Sequence, residues 1–128
     1  MRDHRKLRAF VLADEVALET YGLTVGFPRE EMYGLTSQMR RAAVSAPSNI
    51  VEGCSRSSQP DYLRFLEIAF GSLRELHYQF TLAKRLGFCD DSKARAFESL
   101  ILETEKVLNS LIRAVRKPPQ PSTSTPST

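Results

Sequence analysis

No stretch of this sequence approaches the ~20 consecutive apolar residues that a helix needs to cross a bilayer. The charged start, Met1-Arg2-Asp3-His4-Arg5-Lys6, leads into no uninterrupted apolar segment, because Asp14 and Glu15 intervene. Neither a membrane span nor an export signal is expected, and the sequence predicts a cytoplasmic protein. Cysteine is scarce. Cys54 and Cys89 form no C-x-x-C pair, so neither a disulfide scaffold nor a zinc site is indicated, and two reduced thiols are the plain reading. Histidine is equally scarce: His4 lies in the charged terminus, and His77 has no second histidine at metal-ligand spacing. His77 is expected to be exposed or to face a partner rather than to act as a base. There is no P-loop, no G-x-S-x-G and no Glu-x-x-His of the di-iron bundles. Glu103 and Glu105, the candidate carboxylate pair, fall on different sides of a helix. No catalytic residue, metal or cofactor is expected.

What the chain does have is enough apolar residue for one core. Of its 128 residues 41% are hydrophobic and 26% charged, which suits a single folded domain. Four segments show helical periodicity. The first, from about Arg5 to Thr24, repeats Leu7, Phe10, Val11, Ala17, Leu18 and Tyr21 at three- and four-residue intervals, which predicts its buried face. Gly22 and Gly26-Phe27-Pro28 close it, and Pro28-Arg29-Glu30-Glu31 suggests a short helical turn. The second, from about Thr36 to Gly53, is expected to be capped by Thr36 or Ser37 and to end at Gly53 in a left-handed conformation. Pro47 within it should introduce a kink.

The third segment starts at Ser58-Gln59-Pro60-Asp61, with a capping serine and an early proline. Tyr62, Leu66, Ala69, Leu73, Leu76, Phe80 and Ala83 then form a heptad seam that stops at Gly87. The fourth begins at Asp90 or Asp91 and repeats the spacing with Phe97, Ile101, Thr104, Leu108, Leu111 and Val115. Short links make neighbouring helices antiparallel, so the fold predicted is an all-α up-down four-helix bundle over residues 1–117. Residues 118–128 (Pro-Pro-Gln-Pro-Ser-Thr-Ser-Thr-Pro-Ser-Thr) hold no large apolar side chain and are expected to be a disordered tail. Phe65, Ile68, Phe70 and Leu82 lie off the third seam, and Leu100, Leu102, Val107 and Ile112 off the fourth. Such second apolar faces predict self-association.

The second segment carries a polar stripe of Gln38, Arg41, Ser45, Asn49 and Glu52 beside the small residues Ala42, Ala43 and Ala46. Gly71, Ser72 and Glu75 on the third segment match it, with Gly71 read as a close packing contact. Together Gln38, Arg41, Ser45, Asn49, Glu52, Ser72 and Glu75 read as a structural polar network, with Arg41 facing Glu75 or Glu52. Arg40 lies off the stripe, and a phosphate clamp is as good a reading of it as a structural one.

These residues carry a resemblance. Phe27-Pro28, Glu31, Tyr33-Gly34-Leu35-Thr36, Gln38, Arg40-Arg41-Ala42-Ala43, Ser45, Asn49-Ile50, Glu52-Gly53, Ala69, Gly71-Ser72 and Glu75-Leu76 resemble the four helix bundle protein family. It includes proteins encoded in intervening sequences of bacterial ribosomal RNA genes, once named S23 ribosomal proteins, and is related to the accessory variability determinants of diversity-generating retroelements. The resemblance implies an antiparallel bundle assembled as a homopentamer. It also implies a basic surface for nucleic acid and a protein partner such as a reverse transcriptase, as in the retroelement relatives. Phe10 stands where the family often has tryptophan, Ala46 where isoleucine is usual, and His77 where an acid is common.

The net charge is +3, from 18 basic and 15 acidic residues. Arg2, Arg5, Lys6 and Arg8 outnumber Asp3 at the N-terminus, Lys84-Arg85 end the third segment, and Arg113 and Arg116 end the fourth. With Arg40 these are the expected phosphate contacts, for RNA or DNA held without base readout.

Overall fold

A computed structural model describes residues 2–117; the expected tail lies outside the described residues. Its elements are the short 3-10 turn η1 (His4–Lys6), α1 (Arg8–Thr24), the 3-10 turn η2 (Arg29–Glu31), α2 (Leu35–Cys54), α3 (Gln59–Arg85) and α4 (Asp91–Arg116). The described residues contain no strand, and none of their helices is long and apolar enough to cross a membrane.

Local chemistry sets most of the boundaries. Ser58 Oγ accepts the amide of Asp61 at 3.2 Å to start α3, and Asp90 Oδ1 accepts that of Lys93 at 2.9 Å to start α4. Gly87 adopts φ +76°, and Phe88 donates its amide to Ala83 O at 3.0 Å, the glycine-terminated end of α3. The start of α2 departs from expectation. Neither Thr36 nor Ser37 caps it: Gly34 is the N-cap, and the carboxylate of Glu31 accepts the Leu35 amide at 3.0 Å. A Cβ on Gly34 would lie 2.9 Å from Glu31 Oε1, so the glycine leaves room for that carboxylate. Gly53 does not end α2 in a left-handed turn. It is helical and buried where α2 meets α3. α2 runs through Pro47 without interruption.

Each helix packs on its sequence neighbours and α4 returns to α1, which closes the ring. Partner residues run in opposite directions: Ser45 meets Ser72 while Gly53 meets Phe65, and Lys84 meets Glu98 while Arg116 meets Glu67. Antiparallel up-down order follows. The core lies on the common axis, where the whole α3 seam is buried, as are Phe97, Ile101, Thr104 and Leu108 of α4. At the end of α4 the buried position passes from Leu111 to Ile112, because 3.6 residues per turn drift against a seven-residue repeat.

The α1 face agrees with the expected one only in part: Leu7, Phe10 and Ala17 pack against the core at its edge. Ala9, Leu12, Ala13, Val16, Thr20 and Thr24 point into the core, while Val11, Leu18 and Tyr21 are 52%, 69% and 46% exposed. The second apolar faces of α3 and α4 are mostly covered: Phe70, Leu100 and Val107 pack on the core, Ile112 belongs to it, and Ile68 and Leu102 remain exposed.

Candidate nucleic-acid interface

The expected phosphate contacts are spread over both ends of the bundle, and ion pairs occupy many of them. Arg5 lies 3.0 Å from Asp3, which raises the pKa of the guanidinium and lowers that of the acid, chiefly through their hydrogen bonds. Arg8 pairs with Glu103, Arg116 with Glu67, and Lys84 with Glu98 at 3.1 Å. Arg2 stacks 3.8 Å above the Tyr62 ring and donates to Arg56 O at 3.1 Å. Lys6, Arg85 and Arg113 are exposed and pair with no carboxylate among the described residues.

The polar network forms only at its centre. Ser45 Oγ and Ser72 Oγ lie 2.8 Å apart, and Asn49 donates to Ser45 O at 2.8 Å, joining α2 to α3. Arg41 faces neither Glu75 nor Glu52. Glu52 pairs with Arg56 at 2.8 Å, Glu75 accepts from Gln79 at 3.5 Å, and Arg41 and Gln38 stand exposed. Instead a second array joins α3 to α4. His77 is half-buried rather than exposed: its Nδ1 lies 2.9 Å from Glu105 and its Nε2 3.5 Å from Glu98. Arg74 meets the buried Glu105 carboxylate at 3.2 Å. Nothing in the sequence marked Glu105 for the interior, because its only signal was a charged letter on a helix.

Arg40 and Arg41 share a groove between α1, the segment after η2, and α2. It is lined by Tyr21, Met32, Tyr33, Thr36, Ser37, Arg40, Arg41, Val44 and Ser45, and its volume is about 690 Å³. A second groove of about 290 Å³ shares Met32, Thr36 and Arg40 with it and adds Arg29. No carboxylate lines either groove, and among the described residues none pairs with Arg29, Arg40 or Arg41. Of the nearby acids, Glu30 is exposed and lines neither groove, and Glu31 is engaged at the start of α2.

The groove is held in shape from within. Thr24 donates its hydroxyl to Thr20 O at 2.8 Å and accepts Arg40 Nε at 2.8 Å. That bond lays the Arg40 guanidinium 4.7 Å from the centre of the Tyr21 ring, a cation-π distance. Tyr33 sits on the turn that the Glu31 cap fixes, and it is 96% exposed. Directed N–H groups and open aromatic rings suit an anionic ligand with flat groups. The groove between α1 and α4 has the wrong charge for this, since Glu15 and Glu19 line it with Lys93. Neither Tyr21, expected in the core, nor Tyr33 and Arg29 were found from sequence. No sequence signal marked this side of α1 as outward, because Val11, Leu18 and Val25 are apolar at the seven-residue spacing that a buried seam also has.

The thiols offer no competing chemistry. Burial pushes Cys54 and Cys89 above the ordinary thiol range, which keeps them protonated and weakly reactive.

No curated protein sequence matches the chain. A crystal structure of a protein of unknown function from the S23 ribosomal protein family of Bacteroides thetaiotaomicron shares the fold. Its TM-score is 0.74 at 22% identity, covering 82% of this chain and 98% of that one. Residues 5–110 match the description 23S rRNA-intervening sequence protein, a span that takes in α1 to α3 and most of α4. The chain belongs to the 23S rRNA-intervening sequence protein family.

Proposed function

We propose that this chain is a non-enzymatic, homo-oligomeric bundle of the cytoplasm that binds RNA or DNA through basic surface. The observation that carries this reading is the groove in which Arg29, Arg40 and Arg41 stand without a carboxylate partner. Paired cations elsewhere must give up an existing contact to take a phosphate; these need not. Contacts to phosphate position a nucleic acid and read no sequence, so weak binding to many sequences is the expected behaviour.

Repetition strengthens it. A homopentamer, the assembly that the resemblance implies, would carry +15 from five chains of +3. Labelled RNA and DNA titrated at rising salt provide the test. The reading expects log affinity to fall linearly with log salt, and Arg40→Gln to reduce that slope by about 1. Absence of binding at low salt, or binding that ignores salt, rejects it.

A scaffold role favours a different surface. Val11, Leu18 and Val25 repeat at seven-residue spacing along the outer side of α1, at 52%, 69% and 76% exposure. Such a stripe suits a contact between copies, or a protein partner such as a reverse transcriptase. A pull-down from the native host in which Leu18→Glu loses a protein retained by the unaltered chain would support that alternative.

A further inference from the structure

We infer that the groove at Arg40 is a stacking platform for single-stranded nucleic acid, with Tyr33 and Tyr21 taking unpaired bases while the arginines hold phosphate. This rests on the nucleic-acid reading above and narrows it to one ligand class.

The aromatic rings make the case. Tyr33 is 96% exposed, more than any other large hydrophobic residue of the described chain, and it stands on a turn pinned by the Glu31 carboxylate. A ring left in water on a turn held by a hydrogen bond has no packing role within the chain to explain it. Tyr21, 46% exposed, faces the same groove and is oriented by the guanidinium of Arg40, which is itself anchored on Thr24. Met32, 50% exposed, adds a third apolar surface.

A duplex keeps its base faces stacked inside and offers such rings nothing, whereas a single strand presents a face at every base. Phosphates of that strand are complementary to Arg29, Arg40 and Arg41, and no carboxylate in the lining opposes them. The other two tyrosines lack this setting. Tyr62 is buried beneath Arg2, and Tyr78, 60% exposed on α3, lines neither groove.

The test uses the full chain and a fluorescently labelled oligothymidylate, with a hairpin duplex of equal charge beside it. The unaltered protein is expected to bind the oligothymidylate more tightly. Tyr33→Leu should weaken that binding about tenfold, leave the salt slope unchanged and spare the duplex. Tyr78→Leu should leave both ligands unaffected. Equal affinity for both ligands, insensitive to Tyr33→Leu, overturns the platform while the basic-surface reading stands. Failure of both ligands to bind at low salt overturns the two readings together. A change of oligomeric mass in Tyr33→Leu by light scattering marks the face as a contact between copies, and that also overturns the platform. Since Tyr33 is 96% exposed, the variant is expected to melt like the unaltered protein.

Discussion

At Gly53 a Cβ would lie 2.9 Å from Phe65 Cβ and 3.3 Å from the Tyr62 ring, both fixed in a packed interface. Gly53→Ala is therefore expected to lower stability by about 1–3 kcal/mol, seen as a lower urea midpoint at unchanged slope. Gly71 has nothing within 4 Å of the same position, so Gly71→Ala should raise stability by up to about 1 kcal/mol. The sequence placed the close contact at Gly71 and a helix end at Gly53, because a glycine records that a side chain is missing and not which helix lies opposite. His77 makes the same point for charge. It bridges Glu98 and Glu105, and His77→Leu leaves the buried Glu105 carboxylate with Arg74 alone. A loss of about 1–3 kcal/mol is expected, and adding Glu105→Leu should recover most of it. Urea unfolding of the single and double variants checks this; a double variant no more stable than the single one refutes it.

Among the elements, α3 and α4 were read well and α1 was not. The seam of α3 is large and apolar, so its letters announce its burial. The core face of α1 adds Ala9, Ala13, Thr20 and Thr24, small or polar by letter, to Leu12 and Val16. Thr20 Oγ1 donates to Val16 O at 2.7 Å and Thr24 to Thr20 O at 2.8 Å, so both hydroxyls are satisfied inside the helix and can be buried. Of the face that periodicity selected, Leu7, Phe10 and Ala17 do pack against the core, while Val11, Leu18 and Tyr21 face solvent. Between α3 and α4, the Lys84 ammonium 3.1 Å from Glu98 holds that carboxyl below its ordinary range; burial opposes this, and a hydrogen bond from His77 adds a lesser lowering. A carboxyl lowered in the fold stabilises the protein above its unfolded pKa, and that stability is lost as pH falls through the folded value. Acid unfolding should thus become shallower in Glu98→Gln than in the unaltered chain. Melting temperatures measured from neutral pH into the acid range will show it; parallel curves would exclude the effect.

For the whole molecule, closing the ring of four helices leaves large hydrophobics outside mainly on α1, η2's flank and α2. Leu18, 69% exposed, makes little packing contact in the single chain, so Leu18→Glu should change its stability by less than about 0.5 kcal/mol. Light scattering is expected to place the unaltered protein at a multiple of 14.4 kDa and Leu18→Glu nearer one chain. A monomer at micromolar concentration refutes self-association outright. Of the apolar excess on α3 and α4, Ile112 is buried and Phe70, Leu100 and Val107 are partly buried against the core, whereas Val11, Leu18 and Val25 along α1 are all exposed.

Helix number, the caps at Ser58 and Asp90, the turn at Gly87 and the seam of α3 follow from the sequence alone. Each depends on residues within a turn or two of one another, where spacing and side-chain chemistry suffice. Which way α1 faces, which glycine is a contact, and that Glu105 is buried beside His77 depend on residues far apart in the chain. Only packing decides them. The candidate site is of this second kind: Tyr21, Tyr33, Arg29, Arg40 and Arg41 come from three segments, and the Thr24 and Glu31 bonds that position them join one segment to the next.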